Sequence, residues 1–420
     1  MKKRIIKLVD FSGKLIHTDM RYVVKGYFWF GIEYSVSLIA GLATSVAFAN
    51  LIAPETYGLL QYVLTIMSFL TLTTLTRLND SLTISVAKGI EGGIRKIIKT
   101  KIIYGLIGTL AGIILSIYYL YQNNDTLALL VLIAAFFVPV LNLPYLYSNF
   151  LLGKKNFKVL SIVNSVASII YSVGIIVALL LTKNIIAVVG FYFIINFITR
   201  LVAAFYVFEK YKPNKNTETQ TISYGKKISY LGIFNTIASS IDNLFIFHYL
   251  GAIDLAAYAF AKKMPEKLKD LLSFLASLST PKYATKDIQD SQIKKEALRK
   301  SFLLTLATLL VILIYVALAP LIFKWLFPVY LAYANLSIIY ALSIPIAAFG
   351  TLLLTFMESA RQIKSLTKFN IIFAILKTII MFLAIRYYGL AGLIWTFVLT
   401  RALSSAMITY YFVKTNDESC

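Results

Sequence analysis

The stretch AIDLAAYAFAKKMPEKLKDLLSFLASLSTPKY, residues 252–283, carries six charged side chains in its middle, where the surrounding hydropathy pattern requires a membrane crossing. They are Lys262, Lys263, Glu266, Lys267, Lys269 and Asp270. On a helix they fall within an arc of about 160°, in which Ser273 and Ser277 also lie. The opposite side carries Ala257, Ala261, Met264, Leu268, Leu271, Leu272 and Leu275. Such a two-faced helix is typical of the wall of a wet cavity inside a membrane bundle.

The composition of the whole chain predicts an all-α, polytopic membrane protein. Of its 420 residues, 59% are hydrophobic and 14% charged, and the mean hydropathy is +0.77, which is too apolar for a soluble domain. Cys420 is the single cysteine, so a disulfide or a cysteine-based metal site within the chain is excluded. His17 and His248 lie too far apart in sequence to give a metal-binding spacing. We expect neither a metal nor a cofactor.

Segments long enough to cross a membrane, about 20 mostly apolar residues, recur twelve times. The predicted spans are 27–50, 58–87, 101–121, 127–150, 158–182, 185–208, 228–250, 254–281, 301–323, 333–357, 369–387 and 390–412. The predicted domains are a basic segment 1–26, a six-helix bundle 27–208, a linker 209–227, a second six-helix bundle 228–413 and a tail 414–420. The basic segment is either an amphipathic helix on the inner membrane surface or a solvated tail.

The basic residues orient these spans. With a cytoplasmic N-terminus, 31 of the 41 Lys and Arg residues lie in inner segments, three in outer segments and seven within spans, as the positive-inside rule requires. The net charge of +22 therefore reflects topology, and no nucleic-acid partner is expected. If residues 252–281 did not cross, the bases of 282–300 and 361–368 would lie outside. We therefore predict an eighth crossing and a cytoplasmic C-terminus.

A hairpin recurs in the two halves. The segments Asn50–Gly58 and Leu250–Ala259 each hold a short outer turn and a Tyr followed by a small residue. Six spans separate them, so both copies have the same orientation, and a parallel repeat of two six-helix bundles about an axis along the membrane normal is predicted. The alternative is that tight helical hairpins commonly share Pro, Gly and Tyr.

Several motifs, in order, resemble one family. They are Pro54–Gly58 (PETYG), Leu152–Phe157 (LGKKNF), Asp242–Gly251 (DNLFIFHYLG) with Tyr258 and Ala261, Phe327–Tyr330 (FPVY) and Tyr388–Gly392 (YGLAG). This series, with twelve spans, resembles polysaccharide flippases of the multidrug/oligosaccharidyl-lipid/polysaccharide exporter superfamily, which have a MATE-like fold. Ala257 and Ala259 depart from the small Gly-type residues common in such proteins, and the eighth span carries more charge than expected.

The resemblance implies a flippase for O-antigen (lipopolysaccharide), capsule or exopolysaccharide repeat units in the cell's inner membrane. Such proteins move a polyprenyl-diphosphate-linked oligosaccharide to the outer leaflet by alternating access, without hydrolysing ATP, and are not enzymes. A polysaccharide polymerase and glycosyltransferases are the implied protein partners, besides membrane lipid. A proton or a sodium ion is the implied coupling ion.

The cavity residues predicted to contact the substrate are cationic overall. They are Lys262, Lys263, Glu266, Lys267, Lys269 and Asp270 of the eighth span, with Arg77 and Lys377. A buried charge that faces lipid is costly, and lysines suit a diphosphate or acidic sugars. The alternative is that the eighth-span charges pair among themselves. Lys377 lies deeper than snorkelling explains, whereas snorkelling suffices for Arg401.

The coupling-ion candidates are three acids within predicted spans, Glu33, Asp80 and Asp242. For Glu33 and Asp242 the alternative is a hydrogen-bonded structural acid, and for Asp80 a buried ion pair with Arg77.

Two other functions compete with the flippase. A cation-coupled multidrug efflux antiporter is possible on the same scaffold, but a net positive cavity wall disfavours cationic drugs. A membrane glycan polymerase or ligase would need catalytic residues in a large outer loop, and the predicted outer loops are short. The sequence also lacks a phosphate-binding glycine loop and a Gly-x-Ser-x-Gly motif.

Overall fold

The structure is a computed structural model that describes residues 20–217, 220–277, 291–359 and 363–414. These residues form thirteen α-helices and two short 3-10 helices, without a β-strand among them. The α-helices are α1 Met20–Leu51, α2 Pro54–Leu70, α3 Leu78–Ala87, α4 Gly93–Tyr121, α5 Asp125–Phe137, α6 Leu146–Gly153, α7 Phe157–Leu181, α8 Ile185–Tyr211, α9 Gln220–Leu250, α10 Ala252–Ser277, α11 Ser291–Leu326, α12 Ala334–Ser359 and α13 Ile363–Lys414. The 3-10 helices are Thr71–Thr74 and Pro328–Tyr333.

Some predictions fall outside the described residues. They concern residues 1–19 of the basic segment, 278–283 of the charged stretch and 415–420 of the tail.

Eight helical stretches of the described chain are long and apolar enough to cross a membrane. They are Phe28–Leu51, Pro54–Thr74, Gly93–Tyr121, Phe157–Leu181, Ile185–Tyr211, Lys294–Leu326, Pro328–Leu354 and Ile372–Val413. The last holds two predicted spans, because α13 bends at Gly389, where φ is 59°. The eight stretches thus cover nine predicted spans. The other three correspond to α5 with α6, to α9 and to α10.

The second predicted span, 58–87, is wrong as one continuous helix. It is interrupted by the 3-10 turn Thr71–Thr74 and by Leu75, whose φ is 56°. The hydroxyls of three threonines in this turn donate to the carbonyl three residues earlier, at 2.7–3.0 Å. Such local bonds compete with the regular helical pattern, so helix geometry resumes only at Leu78.

The fourth predicted span, 127–150, is also interrupted. α5 ends at Phe137 and α6 begins at Leu146, and turns connect them. Pro139 and Pro144 lie in the connection and have no backbone N–H to donate. The prolines therefore explain the break.

A polar seam joins α1 to α7, which run in the same direction. The hydroxyls of Thr44 and Ser172 are 2.7 Å apart, and those of Ser37 and Ser168 are 3.3 Å apart. Small hydroxyl residues let membrane helices approach closely and hydrogen-bond to each other. The seam fixes the register of α7 on α1.

The chain divides into two compact units. The first is Met1–Ile52 with Tyr62–Ile237, and the second is Ala53–Gln61 with Ala238–Cys420. The division therefore falls within α2 and α9. The predicted bundle boundaries at 208 and 228 stay a prediction.

The start of the predicted linker is hydrogen-bonded to the loop between α3 and α4 of the first unit. The backbone N–H of Asn214 donates to Glu91 Oε2 at 2.9 Å, and the backbone N–H of Glu91 donates to Asn214 Oδ1 at 3.1 Å. Gly92 N donates to Asn216 O at 2.8 Å, and Lys154 Nζ lies 2.9 Å from Glu91 Oε1. This part of the linker is a fixed element of the first unit.

In the second unit, the apolar face of α10 packs against α11 and α12. Met264 and Leu268 contact a buried cluster of Ile312, Tyr315, Ala319, Ala341 and Ile344. This burial holds α10 in place and leaves its charged face on the other side, as the helical spacing predicts.

The two repeat-related hairpins meet in the second unit. The Tyr57 and Phe260 rings have centroids 4.6 Å apart. A Cβ at Gly58 would lie 1.8 Å from the carbonyl oxygen of Ala252. The motif Pro54–Gly58 therefore supplies a buried aromatic anchor and a glycine over which the backbone of α10 passes directly.

Replacing Gly58 by Ala is expected to lower the thermal unfolding midpoint of the purified protein in detergent by several degrees. The new methyl group clashes with backbone, which cannot rotate away, and overpacking costs about 1–3 kcal/mol. Gly41→Ala is the matched control, because no atom lies within 4 Å of its added Cβ. Equal midpoints for the two variants would contradict the close approach at Gly58.

Candidate functional site

A cavity of about 290 Å³ lies along the charged face of α10 in the second unit. Its lining comes from the start of α2, from α9 and from α10. The lining residues are Tyr57, Gln61, Asn243, Tyr258, Ala259, Lys262, Lys263, Glu266, Lys267 and Asp270.

The structure gathers most of the predicted cavity residues here. Five of the eight line the cavity: Lys262, Lys263, Glu266, Lys267 and Asp270. The other three are Lys269, which is turned away on α10, Lys377, which lies behind α10 on α13, and Arg77, which belongs to the first unit.

Lys262 pairs with Asp242 on the preceding helix. Its Nζ lies 3.1 Å from Asp242 Oδ2, and the Asp242 side chain is 3% exposed. The Tyr258 hydroxyl donates a short hydrogen bond to the same carboxylate oxygen. A buried carboxylate needs such partners. Lys262 is therefore largely committed to Asp242, although it borders the cavity.

Glu266 also has its partners outside the cavity. Its Oε2 accepts from Lys269 Nζ at 2.7 Å. Its Oε1 accepts a short hydrogen bond from the Tyr340 hydroxyl and lies 3.4 Å from Arg401 Nη2. The Glu266 carboxylate is therefore paired with Lys269 of α10 and Arg401 of α13, and it accepts a hydrogen bond from Tyr340 of α12.

One aromatic ring organises the bases behind α10. Phe397 has Lys262 Nζ at 5.3 Å, Lys377 Nζ at 5.6 Å and Arg401 Cζ at 5.7 Å from its ring centroid. Cations near a ring face are attracted by its quadrupole, more strongly away from water. Phe397 thus helps to hold three positive charges close together without an equal number of acids.

Lys263 differs from the other charged residues of the cavity. No hydrogen bond or ion pair joins it to any residue of the described ranges. Lys267 and Asp270 form a pair at 3.8 Å, with side chains 40% and 51% exposed. The cavity wall therefore presents one uncompensated ammonium group beside charges that are already paired.

Glu33 lies in a separate polar cluster in the first unit. Its Oε1 accepts from Asn164 Nδ2 at 2.8 Å, whereas its Oε2 is buried without a hydrogen-bond partner in the described structure. Ser161 neighbours this carboxylate, and the buried hydroxyls of Ser161 and Ser165 lack described partners too. Arg200 Nη1 reaches Asn164 Oδ1 at 3.3 Å. The cluster can accept a proton or a small cation.

Arg77 and Asp80 form a pair at the start of α3. Their closest atoms are 3.4 Å apart, and the side chains are 51% and 50% exposed, so this pair is not the buried one considered from sequence. Below it, Lys101 is 1% exposed, and its Nζ has no hydrogen-bond partner among the described residues. Asp80 acts electrostatically on this ammonium group. Asp80 therefore already has two basic neighbours.

Sequence reasoning missed the polar residues that complete the cavity, Gln61 and Asn243, and also Tyr57. Tyr57 and Asn243 lie in motifs that indicated a family but not a cavity lining, and Gln61 lies in no such motif. Sequence reasoning also assigned Arg401 to snorkelling, whereas the side chain is 13% exposed and ion-paired. The sequence spacing of Arg401 and Lys377 does not indicate that both lie near the Phe397 ring.

A family model described as polysaccharide biosynthesis protein matches residues 23–269, more than half of the chain. The chain belongs to this family. A search of curated proteins finds no match. The match begins in α1 and ends in α10, so it includes every residue that lines the cavity except Asp270.

Solved structures of low sequence identity share the fold of this family member. The lipid II flippase MurJ in an inward closed conformation has a TM-score of 0.69 and 14% identity, over 92% of this chain and 89% of that one. An inward-facing MATE multidrug resistance transporter of the MOP superfamily has a TM-score of 0.67 and 12% identity, over 92% and 97%. A MATE protein in the bent conformation has a TM-score of 0.57 and 14% identity, over 96% and 97%.

Family and fold together place the chain among multi-pass membrane proteins. It is a member of a polysaccharide biosynthesis family, and its described residues have the helical fold of MATE transporters and of the MurJ flippase.

Proposed function

We propose that the chain carries polyprenyl-diphosphate-linked oligosaccharide repeat units from the inner to the outer leaflet by alternating access. The substrate serves the synthesis of a surface polysaccharide such as O-antigen, capsule or exopolysaccharide. The proposed location is the cell's inner membrane with both termini cytoplasmic, and a polymerase and glycosyltransferases are the proposed partners. The observation that carries the proposal is that no described residue pairs with Lys263, in a cavity whose other charges have partners.

The chemistry of the cavity suits a diphosphate head group. Lysine is a compact cation with three donors on a flexible stem, which can follow a phosphate group as it moves. Lys267 stands one helical turn from Lys263 on the same face. Gln61 and Asn243 add amide groups, which can donate to and accept from sugar hydroxyls. The polyprenyl tail would stay in lipid.

The antiporter alternative is less well supported. An organic cation needs an exposed acid, but Glu266 and Asp270, the two acids in the cavity lining, are ion-paired with Lys269, Arg401 and Lys267. A polymerase or ligase function has no support from the family or the fold.

Among the three acids considered for ion coupling, Glu33 is the proposed site. Asp242 is balanced by Lys262, and Asp80 has Arg77 and Lys101 as basic neighbours. Arg200 also acts electrostatically on Glu33, but no ion pair joins the two among the described residues. Glu33 retains a buried carboxylate oxygen without a hydrogen-bond partner in the described residues. A proton or a sodium ion would complete its shell.

The test is translocation in proteoliposomes of a fluorescent polyprenyl-diphosphate disaccharide, followed by quenching at the outer leaflet. We expect Lys263→Ala to lower the rate about tenfold, because a hydrogen bond to a charged group contributes about 1.5–3 kcal/mol. Lys295→Ala, an exposed lysine outside the cavity, is the control and should retain the wild-type rate.

Two outcomes would count against the proposed function. Wild-type protein that does not move the lipid-linked sugar but does move ethidium would favour the antiporter. An undiminished translocation rate in Lys263→Ala would show that the cavity does not bind the substrate during transport.

A further inference from the structure

Arg401 lies behind the wall of the cavity and is absent from its lining. Its Nη1 donates to Ser343 Oγ at 2.6 Å, and its Nη2 donates to the Tyr340 hydroxyl at 2.8 Å. Nη2 also lies 3.4 Å from Glu266 Oε1. The guanidinium group is stacked on the Tyr340 ring, 4.7 Å from its centroid. Arg401 is thus held by residues of α12 and lies beside Glu266, one of the two acids that line the cavity.

The Tyr340 hydroxyl connects Arg401 to Glu266 through two hydrogen bonds. A tyrosine hydroxyl has one proton and can accept as well as donate. Because Arg401 has no acceptor atom, the Tyr340 oxygen must accept from it, and its proton is then directed to Glu266 Oε1. The carboxylate is therefore held by a charged group directly and by a neutral donor that this group orients.

Arg401 is the less exposed of the two bases that form an ion pair with Glu266. Lys269 is the other base in contact, but its side chain is 41% exposed, whereas that of Arg401 is 13% exposed. Exposed pairs within a helix contribute little, and pairs removed from water are felt more strongly. Loss of Arg401 would leave the Glu266 carboxylate close to Lys263 and Lys267 in the cavity.

We propose that Arg401 is a positioning residue that sets the charge of the cavity by holding Glu266 paired and directed away from the ligand. A diphosphate then meets Lys263 without repulsion from the neighbouring carboxylate. This inference rests on the proposed function and deepens it, because it assigns the preference for an anionic head group to a side chain that does not touch the substrate.

The experiment measures binding of a fifteen-carbon polyprenyl diphosphate to the purified full-length protein in detergent by calorimetry. We expect Arg401→Gln to weaken binding about tenfold, because a like charge is left beside the ligand. Glu266→Gln should tighten binding about threefold. The double variant Arg401→Gln/Glu266→Gln should bind within about threefold of wild type, since the acid that Arg401 restrains is no longer charged.

Rescue separates positioning from a general structural role. If the double variant binds as weakly as Arg401→Gln, or if Arg401→Gln binds like wild type, the inference is wrong. If wild type does not bind the probe and Lys263→Ala leaves the translocation rate in proteoliposomes unchanged, the proposed function fails instead. Thus the two failures give different results.

A second variant covers loss of folding. If Arg401→Gln does not elute as a single species in size-exclusion chromatography, Tyr340→Phe removes only the transmitting hydroxyl and keeps the stacking ring. We expect it to weaken binding about threefold and Glu266→Gln to restore it. Unchanged binding in Tyr340→Phe, or weakened binding that Glu266→Gln does not restore, would overturn the inference.

Discussion

Asp242→Asn is expected to destabilise the protein by about 3 kcal/mol or more and to abolish transport. The substitution keeps the shape of the side chain but removes a charge that is 3% exposed and lies 3.1 Å from Lys262 Nζ. Removing one partner of a buried pair leaves the other charge without compensation, which costs about 3–5 kcal/mol. Lys377 also acts on Asp242, so two bases would remain together without their acid.

The measurement is thermal unfolding in detergent, followed by the fluorescence of Trp29, Trp325 and Trp395. Asp270→Asn is the matched control, because its pair with Lys267 is 3.8 Å long and half exposed. Such pairs contribute about 0–1 kcal/mol, so its midpoint should stay close to that of wild type. Equal midpoints for the two variants would show that the Asp242 pair is not buried as described.

A double substitution tests the cause of the destabilisation. In Asp242→Asn/Lys262→Met, the ammonium group is removed together with the acid, and a side chain of similar length fills its place. Replacement of a buried ion pair by apolar groups is often neutral. We expect at least half of the lost stability to return, and a further loss would point to a specific role of Lys262 in folding.

The charged face of α10 was predictable from the sequence because helical periodicity alone determines it. The six charged residues between 262 and 270 fall on one side by their spacing, and the apolar side packs where the pattern places it. Periodicity gives the face of a residue but not its partner. Lys262 and Lys263 are adjacent in sequence, yet the first pairs with Asp242 and the second faces the cavity.

The pairings across helices were beyond sequence reasoning. Glu266 is bonded to Tyr340 and to Arg401, 135 residues away, and no local pattern links them. Counting bases by loop also gives no sign of the environment of Lys101, which lies within α4 and is 1% exposed. Charge counts report topology, but a single base can lie inside the bundle and leave the count almost unchanged.

The sequence does contain residues that favour the breaks in the second and fourth predicted spans, but a hydropathy average does not show them. The run Thr71–Thr74 is rich in β-branched residues with hydroxyls, and Pro139 and Pro144 lie in an otherwise apolar stretch. A hydropathy window averages over such residues, whereas backbone hydrogen bonding depends on each one. In membranes, irregular backbone is tolerated only where protein or water satisfies it, so these breaks mark buried or wet positions.

Glu33→Gln is expected to remove the response of transport to an ion gradient while the protein still folds. The amide oxygen can accept from Asn164 as Glu33 Oε1 does. The amide N–H₂ can donate to the neighbouring Ser161 hydroxyl, which has no hydrogen-bond partner among the described residues. Glutamine therefore resembles the protonated or cation-bound acid and fixes the cluster in one state. The wild-type rate should change several-fold with an imposed proton or sodium gradient, and that of the variant should not.

The assay is translocation of the lipid-linked disaccharide in proteoliposomes with pH or sodium gradients of either direction. Asp125→Asn is the control in the first unit, because this acid is exposed at the start of α5, and it should keep the wild-type response. A Glu33→Gln variant that still responds would shift the coupling site to another acid. The next acid to test would be Asp242, in the double variant Asp242→Asn/Lys262→Met. Loss of the gradient response in this variant would place the coupling-ion site in the second unit, together with the cavity.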